Sequence, residues 1–356
     1  MEKTKSQALI VRICLGVCLA VVLAVPSTPL AASKDAPIEL RFAHHNPPAG
    51  RTTVKFVDPW VKRVQEATHG RVRITTYPAQ SLASTKKMLS AVESGLADMA
   101  WVVNPYFPGR FPLTEVICLP FLALPSAEKN GRIIQELYEK FPDLQKEYST
   151  VKLLFLIASD PYFIATTKKP VRNLDDLRGL KLKVSGSFPT QAMKNLGTTP
   201  VGIPLPGTYE AAEKGVIDGG LIMWAMVPTW NFAEVFDYWT DVALFPVVTQ
   251  VSMNLEKWNS LPADIQKDIM SVCGVAGSEF AGRTGWGPEV KEETYAAMKK
   301  AGTKMERIEL DPGELEKWKK IAGEPIWKEW VQQMEKKGLP GQELLDEALR
   351  LVEKYR

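Results

Sequence analysis

The sequence predicts an α/β protein of two lobes followed by a helical C-terminal region. Three observations predict it: strand-like and helix-like stretches alternate, one motif recurs 120 residues further on, and the length suits two domains. The chain has 356 residues, 45% hydrophobic and 24% charged, a balance that excludes disordered, collagen-like and disulfide-framework proteins. At about 150 residues per domain the expectation is two. With 44 Lys+Arg against 41 Asp+Glu the net charge is +3 and no basic run stands out, so no nucleic-acid partner is indicated. A mean hydropathy of -0.11 excludes a polytopic membrane protein.

The first element is a leader. Lys3, Lys5 and Arg12 precede an apolar run from Ile13 to Val25, and Pro26 breaks it before Ala31-Ala32. That order is a secretory signal peptide over residues 1–32, cleaved near Ala32 or Ser33. A membrane anchor is the competing reading, but the run falls short of the roughly 20 residues a span needs. Cys18 resembles a lipidation site only faintly, because bulky Val17 precedes it. Loss of Glu2, Lys3, Lys5 and Arg12 takes the net charge from +3 to +1. The mature chain keeps two cysteines, Cys118 and Cys273, which either pair or lie as buried thiols among apolar neighbours.

The mature chain opens with Ile38, Leu40 and Phe42 alternating against Glu39 and Arg41, the period of a half-buried strand that ends at His44-His45-Asn46-Pro47-Pro48. Phe56, Trp60 and Val64 then follow at helical spacing until Gly70, and Val72 and Ile74 resume a strand. This alternation predicts largely parallel sheets covered by helices. The recurring motif is A-x-E-x-G-x-x-D, at Ala91–Asp98 and again at Ala211–Asp218. In each copy a helix stops at a glycine able to turn left-handed and a strand begins. Either the two are ordinary helix–glycine–strand junctions, or they mark equivalent units in two similar lobes; Asp98 and Asp218 read as structural. Beyond residue 250 the chain turns helical, with Trp318, Trp327 and Trp330 among charged residues and Leu345, Ala348, Leu349 and Val352 forming the last apolar stripe.

No HExxH, GxSxG, P-loop or GxGxxG motif occurs, and neither a metal site nor a cofactor is expected. His44 and His45, adjacent on a strand, point to opposite faces, so at most one reaches a cleft. Lys181 and Lys183 share one face of a strand that runs into Gly186 and a new helix, where free N–H groups can meet an anion. Two solvated edge lysines are the plain alternative.

The mature chain resembles solute-binding proteins of tripartite ATP-independent periplasmic (TRAP) transporters, of the DctP type, over nearly its full length. The resemblance rests on the leader and first strand, Glu93–Met99, Leu119–Leu122, Leu174–Val184, Thr199-Pro200-Val201 with Tyr209-Glu210-Ala211, Gly215–Gly219, and Asn254 with Trp258, Leu261, Pro262 and Gln266. It implies a two-lobed periplasmic-binding-protein-like fold with a hinge, and a receptor without enzymatic activity. Such a receptor closes on a small organic acid and hands it to membrane permease subunits. It divides the chain into lobe 1 (33–160), lobe 2 (161–248), a return to lobe 1 (249–288) and helices packed mainly on lobe 2 (289–356).

Where this chain has Lys183 the family usually has an arginine that pairs with the ligand carboxylate. Lysine supplies a point charge in place of a planar fork. After Gly219 the family's polar run is replaced by Gly220-Leu221-Ile222-Met223-Trp224. Trp101 follows the other copy of the motif, so Trp101 and Trp224 are expected to hold a flat or apolar ligand body between the lobes. Tyr162, Ser185, Tyr209, Asn104 and His45 complete the expected site. The opposing reading is a secreted two-lobed hydrolase or lyase, which needs Asp160, His45 and Ser185 to converge.

Overall fold

A computed structural model describes residues 36–356 apart from Pro288; the leader lies outside the described residues. Eleven strands are described: β1 (Ile38–Ala43), β2 (Val72–Tyr77), β3 (Met99–Val103), β4 (Val151–Ala158), β5 (Phe163–Thr166), β6 (Lys181–Lys183), β7 (Thr199–Val201), β8 (Gly219–Ile222), β9 (Tyr238–Asp241), β10 (Val248–Asn254) and β11 (Glu306–Glu309). They form two sheets, ordered β2-β1-β3-β10-β4 in lobe 1 and β11-β9-β5-β8-β6-β7 in lobe 2.

The recurring motif marks equivalent units. In lobe 1, β1 pairs in parallel with β2 and β3; in lobe 2, β6 pairs in parallel with β7 and β8. Gly95 and Gly215 take φ of 75° and 69°, a conformation that glycine alone adopts cheaply. The aspartates do matching work: Asp98 accepts the Arg41 backbone N–H at 2.8 Å, and Asp218 accepts that of Lys181 at 2.8 Å. Each carboxylate ties the start of one strand to its parallel neighbour.

The sheets are less parallel than the alternation predicts. β10 runs antiparallel to both β3 and β4, and β5 antiparallel to β8 and β9. The reason is connectivity: β5 and β10 are the strands by which the chain enters the other lobe, and each arrives against the local direction. The two crossings are laced together. The Tyr162 N–H donates to the Phe245 carbonyl at 2.9 Å, Leu244 returns a bond to Tyr162, and Ser159 Oγ accepts from Val247. A third crossing follows the helix Gly274–Trp286, which packs on lobe 1.

The C-terminal helices straddle both lobes, which corrects the expectation that they sit mainly on lobe 2. The helix Glu289–Ala301 packs Tyr295 on Trp224 of lobe 2. In the helix Glu324–Lys336, the indoles of Trp327 and Trp330 donate to the carbonyls of Pro120 and Pro112 in lobe 1, while Glu329 bonds Gln191 of lobe 2. The last helix, Gly341–Tyr355, lies on the lobe 1 helix Ala127–Lys140, where Tyr355 donates to Glu136. The tail's tryptophans serve packing: Trp318 and Trp330 are fully buried, and truncating such a residue costs about 3–5 kcal/mol. Cys118 and Cys273 are free, buried thiols.

Candidate ligand site between the lobes

Ligands of open α/β sheets bind beyond the carboxyl ends of the strands, and both sheets aim those ends at one chamber. β1 leads to His45 and Asn46, β6 to Lys183 and Ser185, and β8 to Met223; the β4–β5 crossing adds Tyr162. Trp101 enters from β3 and Thr249 from β10, and the indole of Trp101 donates to Thr249 Oγ1 at 2.8 Å. The chamber leaves about 50 Å³ for the centre of a water-sized sphere, room for a few waters at roughly 10–15 Å³ each. Its neck is fastened from one lobe to the other: the Leu205 N–H of lobe 2 donates to Tyr106 Oη of lobe 1 at 2.9 Å.

Lys183 is the chamber's cation. Of the two lysines on β6, Lys181 is exposed, whereas Lys183, at the strand's carboxyl end, is only 2% exposed. Among the described residues no carboxylate stands within ion-pair distance of it, and its ammonium lies 5.8 Å from the Tyr162 ring. Burial pushes its pKa down to about 8. Glycine at 220 keeps the place open, since a Cβ there would stand 3.2 Å from Lys183 Cβ. At Gly219 a Cβ would fall 2.3 Å from the Ala165 carbonyl, so close packing also holds that position to glycine.

Three neutral polar groups on the lobe 1 wall lack partners among the described residues: His45 Nδ1, Asn46 Nδ2 and Thr52 Oγ1. A buried polar atom left unpaired costs about 1–3 kcal/mol, so these atoms are available to bond a polar group in the chamber. His45 is uncharged at neutral pH because burial pushes its pKa down to about 3. The hydroxyls of Thr249 and Tyr106 on the same wall are already bonded, and the remainder is aromatic and aliphatic. Trp101 meets His45, Phe56 and Trp286 edge to face, with ring centroids 5.4, 5.2 and 5.9 Å away.

Lys183, Ser185, Tyr162, Trp101 and His45 are thus brought together, and three other expected residues lie elsewhere. Trp224 stacks on Phe163 at 4.1 Å inside lobe 2, facing away from the chamber. Its neighbour Met223 takes the place instead, because a shift of one residue exchanges the faces of a strand. Asn104 bonds Tyr148 and Gln250 beneath the chamber floor, and Tyr209 is half-exposed, donating to Glu234 at 2.8 Å. The hydrolase reading loses its geometry: His45 and Ser185 line the chamber, but Asp160 faces a separate crevice. Asn46 was findable as a loop residue beyond β1, and Thr52 at the start of the helical turn that follows. Trp286, the actual counterpart of Trp101, arrives from a distant helix with no local signal.

Two lobes joined by laced crossings, closing on a chamber with one buried unpaired cation, define a solute receptor for small organic acids. The chain matches bacterial extracellular solute-binding proteins, family 7, over residues 42–334. It belongs to that family, as a TRAP solute-binding protein. A marine metagenome TRAP solute-binding protein specific for aromatic acid ligands, in complex with metahydroxyphenylacetate, is 29% identical, with a TM-score of 0.83 over 89% of this chain and 99% of that one. A TRAP solute-binding protein from Rhodoferax ferrireducens, in complex with benzoate, is 26% identical, with a TM-score of 0.83 over 89% and 98%. The C4-dicarboxylate-binding periplasmic protein DctP of Rhodobacter capsulatus is 26% identical over 80% of this chain and 84% of its own.

Proposed function

We propose that this receptor works in the periplasm, captures single-ring aromatic monocarboxylates unaltered, and delivers them to the permease of a TRAP transporter. The carrying observation is Lys183, one buried unpaired ammonium in a chamber whose lining includes the rings of Trp101, Tyr162, Trp230 and Trp286 and two methionines beside neutral polar groups. One cation matches one carboxylate; the aromatic wall suits a flat apolar body. The benzoate and metahydroxyphenylacetate complexes of the similar structures support the same ligand class. Capture follows from contacts to both lobes: a ligand bonded to Lys183 on one side and the His45–Thr52 wall on the other favours the state in which the lobes meet.

A thermal-shift screen of the leaderless protein tests this. Benzoate and hydroxybenzoates raise the midpoint, with about 2.7 kcal/mol of added stability at a hundred times the Kd, and mass analysis recovers them unchanged. Succinate and benzamide leave it still. A shift with succinate alone would overturn the aromatic reading, and a chemically altered ligand would reopen enzymatic activity.

A further inference from the structure

The chamber has a neighbour on its hinge side. A crevice of about 370 Å³, on the same measure as the chamber's 50 Å³, is floored by the crossing segments at Asp160, Pro161, Val242 and Ala243. Among the described residues, Trp286 alone lines both spaces. It is the last residue of its helix, only 8% exposed, and wedged against Trp101 and Phe56. The helix end is fixed by close packing, since a Cβ at Gly282 would fall 2.5 Å from the backbone of Glu128.

The two spaces differ in chemistry. The crevice holds the ion pairs Arg283–Glu128 and Lys291–Asp241, and among the described residues Asp160 Oδ1 has no partner. It is a space of several ion pairs suited to water, whereas the chamber sets one cation among rings and neutral side chains. The indole of Trp286 stands at the border of the two.

We infer that Trp286 sets ligand length: it refuses acids that carry a second ring or a long chain, and its removal joins the crevice to the chamber. This rests on the aromatic-acid reading above. Discrimination by one such apolar wall is expected at about 10–200-fold.

Calorimetric titration of the leaderless protein with benzoate, biphenyl-4-carboxylate and 4-phenylbutyrate is the test, on wild type, Trp286→Ala and Trp286→Leu. Wild type prefers benzoate, and both variants shift the ratio of affinities at least about tenfold toward the long acids, within the span expected of such a wall. Ala243→Phe, which narrows the crevice, reduces the gain when added to Trp286→Ala. The ratio is insensitive to general destabilisation, and Trp286→Leu carries the test if the alanine variant does not fold. Wild type that binds benzoate with a ratio the variants leave within twofold overturns the length gate alone, as does wild type that takes the long acids equally well. Wild type that binds no aryl acid overturns the aromatic reading and the gate with it.

Discussion

In lobe 1, β1 delivers His45 and Asn46 to the chamber, whereas its counterpart β6 in lobe 2 delivers Lys183 and Ser185. The strands occupy equivalent places in sheets of matching order, and each is tied to its neighbour by the aspartate of the same motif. The scaffold is thus duplicated and the chemistry divided: lobe 1 offers neutral polar atoms and edge-to-face rings, lobe 2 the charge. Equivalent strands keep their frame while the residues just past their carboxyl ends, which bear little of the fold, are free to specialise.

The sharpest way to break this division is Lys183→Met. It removes the charge and keeps most of the volume, and a carboxylate left facing no cation loses about 2–5 kcal/mol, roughly 30- to 5,000-fold in affinity. The ligand-free protein moves the other way and melts higher, because an unpaired buried ammonium is relieved. Titration calorimetry and a melt of the same sample read both. Equal loss from Asn46→Ala with none from Lys183→Met would move the anion site to lobe 1.

Proton linkage sharpens the comparison next. Below pH 8 the free receptor holds Lys183 charged; above it, the folded group is neutral while an unfolded one stays charged to its ordinary value of 10.5. The unfolded state then binds more protons, so this group's contribution makes ligand-free stability rise from pH 8 to about 10.5. A bound carboxylate favours the charged form, so affinity falls over that window by up to about tenfold per pH unit while a proton is taken up. Benzoate titrations at pH 7, 8 and 9 should show this in wild type and not in Lys183→Met. A flat wild-type profile would detach the carboxylate from Lys183. The group on the lobe 1 wall, His45, is already neutral throughout and adds no slope.

The smallest effect belongs to the bond between the lobes. Tyr106→Phe removes the acceptor of the Leu205 N–H, worth about 1 kcal/mol, and should speed ligand release about fivefold with association unchanged. Stopped-flow release of a fluorescent hydroxybenzoate reads it; a change confined to association would mean that the bond does not hold the closed state.

The fold was legible because its signals are local: the alternation of Ile38, Leu40 and Phe42, the glycine stops, and the paired motif at Asp98 and Asp218. Lys183 was legible only through the family resemblance, because the strand pattern alone put it on one face with Lys181, which the fold leaves exposed while Lys183 is buried. Trp224 was not, since choosing between it and Met223 depends on where β8 ends, and one residue decides the face. Trp286 was hidden more deeply. Its helix returns to lobe 1 far along the chain from β3, and no spacing records that its ring meets Trp101. The antiparallel course of β5 and β10 was equally hidden, being a property of the route between lobes and not of either strand.

The helix Glu324–Lys336 rests its indoles on lobe 1 while Glu329 holds lobe 2, well away from the crossings in sequence. Bodies linked at one point swivel and twist; bodies linked at several lose those motions and keep few degrees of freedom. Each freedom removed in the empty protein is entropy that the ligand need not oppose when it draws the lobes together. A segment that touches no ligand thereby contributes to affinity, by having ordered the search before the ligand arrives.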